Sequence, residues 1–260
     1  VSKDLDSLIV SRIKILAGLD ITERRISQDG QIYIFDPHEV DIRVSVMPTI
    51  HGEKIVMRIL DRTKNIPTLD ELGYDSEAVN KIREAIKSPY GMILVTGPTG
   101  SGKTTTLYSI LAELLSEEIN ITTIEDPPEH DIPGINHISV NSRMDFASSL
   151  RAILRQDPNI IMIGEIRDSE TAKVAIQAAL TGHLVLSTLH TNSAAGVPVR
   201  LVDMGVEPYL IASSLICVAS QRLVRKICNR CVKEDLSDSP LREIYQTDRV
   251  MHGEGCRHCD

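Results

Sequence analysis

The chain has 260 residues, with 28 Lys plus Arg against 36 Asp plus Glu, a formal charge of −8, 42% apolar and 25% charged residues. This is the composition of a soluble globular protein, long enough for one large domain or two ordinary ones, with a core that needs no disulfides. The acidic balance and an aromatic content of 3%, without Trp, exclude a generic nucleic-acid coat and a base-stacking platform, and no apolar run approaches the roughly 18 residues of a membrane span.

No signal peptide opens the chain, and Val1-Ser2-Lys3-Asp4 leads straight into an amphipathic pattern. The absent initiator Met and the end just after a Cys-x-x-Cys read as a piece of a longer protein. Leu5, Leu8, Ile9, Ile13, Leu16 and Leu19 have helical spacing over 4–19. Two alternating stretches follow, Gln31–Phe35 and Val40–Val46. The second puts Val40, Ile42, Val44 and Val46 on one face and Asp41, Arg43 and Ser45 on the other, the period of a half-buried strand. Ile55–Leu60 predicts a third strand. Residues 1–63 thus form a partial α+β domain, and 64–74, opening Lys64-Asn65-Ile66-Pro67-Thr68, a linker.

An amphipathic helix is expected over 75–87, stopped by Ser88-Pro89. Beyond Gly91, apolar strands alternate with helices. Strands are expected at Met92–Val95, Ile121–Ile124, Ile160–Ile163 and Leu184–Leu189. Helices are expected at Thr105–Leu115, Phe146–Gln156, Thr171–Leu180 with Gly182 at its cap, and over 208–227. The pattern predicts an α/β fold around a parallel sheet covered on both faces, spanning 75–227. Residues 228–260 are polar and cysteine-bearing.

Gly97-Pro98-Thr99-Gly100-Ser101-Gly102-Lys103-Thr104 matches the P-loop pattern between an apolar strand and a helix that continues at Thr105. Glycines let backbone N–H groups wrap a phosphate, and the helix aims its positive end at the same place. Lys103 reaches the outer phosphates of ATP, and the Thr104 hydroxyl completes a Mg²⁺ shell. Such a site needs a carboxylate at a neighbouring strand end. The chain offers Glu165, closing Ile160–Gly164, and the acidic set Glu125, Asp126 and Glu129. The acidic set either serves the site or pairs with surface arginines. His190 ends the strand at Leu184–Leu189 and suits a γ-phosphate sensor, whereas His183, at the opposite strand end, reads as structural.

Among arginines, Arg43 and Arg58 lie on strands of a unit without its own P-loop, which makes them candidates for fingers supplied from another domain or subunit. Arg151 and Arg155 are four apart on one helix face, Arg167 follows Glu165 by two, and Arg200 lies on a later helix. Cys228-Asn229-Arg230-Cys231 and Cys256-Arg257-His258-Cys259 have the spacing of a closed, structural Zn²⁺ site. Disulfides are disfavoured for a P-loop protein of the reducing cytosol. Cys217 reads as a small core residue of the last helix.

Taken together, the chain resembles the secretion ATPases of the type II secretion and type IV pilus superfamily. Gly97–Thr104 resembles their Walker A, Thr123–Glu129 their Asp box, Leu150–Pro158 with Gly164–Asp168 their Walker B region, and Thr181–Leu184 through His190-Thr191-Asn192 their His box. The paired cysteines favour the type II secretion ATPase or the pilus-extension ATPase. The resemblance implies a RecA-like P-loop domain preceded by a PAS-like α+β domain on a flexible linker. It further implies a cytoplasmic homo-hexameric motor whose ATP lies between the two domains, docked peripherally at the inner membrane. The docking would be onto secretion-platform proteins, through an N-terminal region outside this sequence. On that reading Glu165, Glu129, Glu125 and His190 are catalytic. Gly97 to Thr105, Arg43, Arg58, Arg151, Arg155, Arg167 and Arg200 serve nucleotide and subunit contacts, and His183 gains a role. Two positions depart from the family: Asp157-Pro158-Asn159 stands where Asp-Pro-Asp is common, and Pro128 where an aliphatic residue is usual. A nucleic-acid motor and a regulatory nucleotide-binding module are the readings of another class. Charge and few aromatics count against the first, Glu165 and the acidic box against the second.

Overall fold

A computed structural model describes residues 3–34, 40–61, 65–141, 144–235, 240–247 and 249–259. Phe35, residues 62–64 and Asp260, which belong to expected strand and domain ends, lie outside them. The chain forms two units, Val1–Gln221 and Arg222–Asp260.

The helical spacing at the start yields α1 (Lys3–Leu16). The alternating stretches yield an antiparallel meander of β1 (Gln28–Ile34), β2 (Val40–Thr49) and β3 (Gly52–Asp61). Val44 and Val46 are buried with Ala17, Ile13 and Ile42 around them, as period two requires. Asp41, on the other face, is buried as well, and Gln31 Nε2 donates to it at 2.5 Å. Lys14 is buried, donating from Nζ to Glu23 O at 2.7 Å and pairing with Glu53, which pins α1 to the start of β3.

Residues 65–74, read as a linker, are packed down. A 3-10 turn at Leu69–Leu72 opens where the Thr68 N–H donates to Glu71 Oε2 at 2.8 Å. Leu69 is fully buried, Ser109 Oγ donates to Pro67 O at 2.6 Å, and Arg83 pairs with Asp70 at 2.7 Å. Burying one leucine contributes about 1.5–3 kcal/mol, while fixing each backbone residue costs about 1–2 kcal/mol. The cap and these polar contacts are therefore needed to hold the turn.

The rest of this unit runs α2 (Ser76–Ala85), β4 (Gly91–Thr96), α3 (Lys103–Leu114), β5 (Ile121–Glu125), β6 (Ile135–Ser139) and α4 (Phe146–Ile153). It continues through β7 (Ile160–Ile163), α5 (Ser169–Leu180), β8 (Leu184–Leu189), α6 (Gly196–Asp203), α7 (Pro208–Ser214) and β9 (Leu215–Ser220). The six strands form one parallel sheet in the order β6-β5-β7-β8-β4-β9. Alternate side chains feed two cores. Met92, Leu94, Ile161, Ile163 and Val185 join α4 to α7, and Ile93, Val95, Met162 and Leu186 join α2 and α3. Both faces are covered, hence the continuous apolar runs.

Three expectations are corrected. The helix expected over 208–227 stops at Ser214, and Leu215–Ser220 pairs in parallel with β4 as an edge strand. Its β-branched Ile216 and Val218 suit a pleat that satisfies the open backbone groups of β4. Cys217 is therefore a partly buried strand residue. The helix expected to reach Gln156 ends at Ile153, which leaves Arg155 in the following turn. β6 was not expected, because Asn136, His137 and Ser139 make this edge strand half polar.

In Arg222–Asp260, β10 (Val232–Glu234) and β11 (Met251–Gly253) pair antiparallel, with α8 (Pro240–Tyr245) between them in sequence. Among the described residues no helix is long and apolar enough to cross a membrane.

Candidate nucleotide site and cysteine cluster

Parallel strands deliver their C-terminal ends to one edge of the sheet, where open α/β folds bind ligands. The P-loop leaves β4 there, the acidic loop leaves β5, Glu165 follows β7 and His190 follows β8. The loop begins at Gly97, where φ is +146° and a Cβ would lie 2.3 Å from Gln221 O, so only glycine fits. It ends at Gly102, the cap of α3, at φ +84°. Pro98, Thr99 and Gly100 form its exposed rim, with Thr104 and Thr105 partly buried at the head of α3.

Lys103 is 8% exposed and folds over the loop, donating from Nζ to Gly97 O at 3.1 Å and Pro98 O at 2.9 Å. Burial lowers its pKa, and the charge of Glu165 works against that shift. Ser101 is 2% exposed, and its Oγ has no hydrogen-bond partner among the described residues. A buried unpaired hydroxyl costs about 1–3 kcal/mol. A lysine held by carbonyls and an orphaned hydroxyl in a glycine cradle fit a phosphate group. Thr104 and Glu165 supply the hydroxyl and carboxylate that Mg²⁺ prefers.

Glu165 pairs with Arg167 through Oε1, and its Oε2 lies 3.3 Å from His190 Nε2. Burial pushes its pKa up, but Arg167 and His190 outweigh that, and the carboxyl sits below its ordinary range. Arg167 also reaches Asp126 at 3.5 Å, and its own pKa is raised, chiefly by Glu165. Glu129 is exposed.

Glu125, expected among the catalytic carboxylates, is the last residue of β5 at this edge, close against Gly164, but it is buried. It is 3% exposed, with Oε1 accepting from Tyr108 Oη at 2.7 Å and Oε2 from Thr123 Oγ1 at 2.8 Å. His137 Nδ1 lies 3.4 Å from Oε2, and its Nε2 accepts from Ile132 N at 3.2 Å. Tyr108 Oη also accepts from His130 N at 3.2 Å, so α3 is tied to the acidic loop. Burial, then the Glu125 charge, raises the Tyr108 pKa.

Arg43 and Arg58 stand opposite each other across β2 and β3. Arg43 donates to Pro127 O of the acidic loop at 3.1 Å, and its Nε has no partner among the described residues. Both line a cavity of about 470 Å³ with Asp29, Gln31 and Asp126. Of the remaining candidates, Arg151, Arg155 and Arg200 are not gathered here: Arg151 pairs with Glu170 at 2.5 Å, and Arg155 and Arg200 are exposed. His183 precedes β8 at the opposite sheet end, with Nδ1 3.0 Å from Ala178 O.

In the second unit, Sγ atoms of Cys228 and Cys256 lie 3.9 Å apart, those of Cys231 and Cys259 3.7 Å, and those of Cys256 and Cys259 3.7 Å. A tetrahedron with Zn–S of about 2.3 Å has edges of about 3.8 Å, so the four thiols fit one zinc. His258 pairs with Arg230 at 2.5 Å and stands outside the cluster. Sequence reasoning did not find Tyr108, Tyr74 or Gln221, which carry no motif.

The family described as type II/IV secretion system protein matches residues 2–260. Type II secretion system ATPase E of Vibrio cholerae serotype O1 is 52% identical over 267 residues, which cover 100% of this chain and 53% of that protein. The type IV pilus assembly ATPase PilB of Thermus thermophilus is 49% identical over 261 residues, 96% of this chain and 29% of that protein. A crystal structure of the pilus retraction motor PilT with bound ADP matches with TM-score 0.69 and 34% identity, over 79% of this chain and 61% of that one. The chain spans about half the length, or less, of these curated relatives. On the P-loop edge, the parallel sheet and this similarity over nearly every residue, the chain belongs to the type II/IV secretion system protein family.

Proposed function

We propose that this chain is the ATP-hydrolysing part of a cytoplasmic, homo-hexameric motor that powers pseudopilus assembly in type II secretion. The observation that carries the reading is the convergence of the glycine cradle, Lys103, Glu165 and His190 on one sheet edge, in a chain 52% identical to a type II secretion ATPase. Backbone N–H groups of Thr99–Thr104 and the Lys103 side chain hold the phosphates. Glu165, kept ionised by Arg167, orients the attacking water. His190 senses the γ-phosphate, and Arg43 and Arg58 neutralise charge from the N-terminal sheet. Thr104 and Glu165 would hold Mg²⁺, which would supply charge neutralisation at the transferred phosphoryl group. Glu129 borders the site, whereas Glu125 positions the acidic loop. Zn²⁺ on the four cysteines is structural. The domain division at 1–63, 64–74, 75–227 and 228–260, and docking on inner-membrane platform proteins at the membrane surface, belong to the same proposal.

Pilus extension is the second reading, favoured by the 49% identity to a pilus assembly ATPase. The test is ATP hydrolysis against protein concentration, with particle mass followed in parallel. Wild-type turnover should rise steeply with assembly and be lost in Lys103→Ala and Glu165→Gln. Full turnover in either variant sinks the site assignment.

A further inference from the structure

One residue outside every motif braces the phosphate loop. Gln221 is the first residue after β9, and its backbone N–H donates to Thr96 O at 2.9 Å. Its side-chain Nε2 donates to Ser101 O at 2.6 Å. Its Oε1 accepts from Thr106 Oγ1 of α3 at 2.9 Å and from the Tyr74 hydroxyl of the segment before α2. The orientation of the amide follows from its partners, because a backbone carbonyl can only accept and so must face the nitrogen. Gln221 O also sits where a Cβ on Gly97 would fall.

The consequence runs through one peptide plane. Ser101 C=O and Gly102 N–H belong to the same planar trans unit and point in opposite directions. Anchoring Ser101 O therefore turns the Gly102 N–H away from Gln221, and that N–H is one of the donors a P-loop offers to phosphate. The same amide oxygen is held by Tyr74, which caps the packed-down stretch leading from the N-terminal sheet. Burial raises the Tyr74 pKa, and its hydroxyl stays a donor.

We propose that Gln221 is a positioning residue of the phosphate loop, which fixes the Ser101–Gly102 peptide for anion binding and, through Tyr74, ties that orientation to residues 66–74. The inference rests on the nucleotide reading above. The test measures ADP affinity by calorimetry, ATP kcat and KM, and the melting temperature of the ligand-free protein. Gln221→Met keeps the size and removes both hydrogen-bonding functions. It should weaken ADP about tenfold and raise KM by a similar factor with kcat within about twofold, because phosphate contacts present before and during the reaction are lost together. Tyr74→Phe, which deletes one hydroxyl and serves if Gln221→Met does not fold, should weaken ADP about two- to threefold. A lower melting temperature with unchanged ADP affinity in both variants would show a merely structural role and overturn the proposal. A wild-type protein that binds no ADP overturns the nucleotide reading itself, before any variant is compared.

Discussion

Glu165 and Glu125 stand at the ends of neighbouring strands, yet their surroundings differ. Glu165 faces the loop lysine, an arginine and a histidine, and its pKa is depressed because Arg167 and then His190 outweigh burial. A depressed carboxylate keeps its charge until pH falls through its folded value. In Arg167→Ala the stronger of those two partners is gone and burial is opposed less. The acid limb of kcat/KM should therefore move to higher pH than in wild type, as a pH–rate profile would read directly. An unmoved limb would mean that Arg167 does not hold Glu165. Glu125 is satisfied by Tyr108 and Thr123 inside the protein. Tyr108→Phe leaves a buried carboxylate oxygen short of a donor, at a cost of about 1–3 kcal/mol. A melting temperature lower by several degrees is expected. Lys103 and Glu165 were legible in the sequence because a P-loop and an apolar run fix both residue type and place. Tyr108 and Gln221 were not, since their partners are distant in sequence and come together only through the sheet order.

At the scale of elements, the buried strands were legible and the edges were not. β4, β7 and β8 are buried on both faces and mostly apolar, so their sequences allow little else. β6 and β9 lie at the two edges of the sheet, where one is half polar and the other continues a helix without a break in hydrophobicity. The second unit is the extreme case. β10 and β11 have three residues each, all exposed, and supply no core of their own. The four cysteines are drawn together within it, which is why their spacing alone revealed the cluster. One zinc per chain is expected by metal analysis. Chelation should abolish hydrogen-exchange protection around Cys228–Cys231 and Cys256–Cys259 while β4, β7 and β8 stay protected. Retained protection in the cysteine segments after complete zinc removal would rule out a structural metal.

For the whole molecule, the open question is which arginines act on their own chain's nucleotide. Arg43 and Arg58 face each other in register, an arrangement of like charges that is unfavourable until an anion lies between them. Arg43 already touches Pro127 of its own acidic loop, and that loop reaches Glu165 through Asp126 and Arg167. The connection favours service within the chain. Arg200 is exposed on α6 and, in a hexamer, would be offered to a neighbour. Mixing inactive variants separates the two cases. Arg43→Ala mixed with Glu165→Gln should stay inactive, because no chain then carries both groups. Arg200→Ala mixed with Glu165→Gln should recover activity, since about a quarter of ring interfaces formed at random join an intact Glu165 to an intact Arg200. Recovery in the first mixture would move the N-terminal arginines to the neighbouring subunit's site, and silence in the second would return Arg200 to the surface of its own chain.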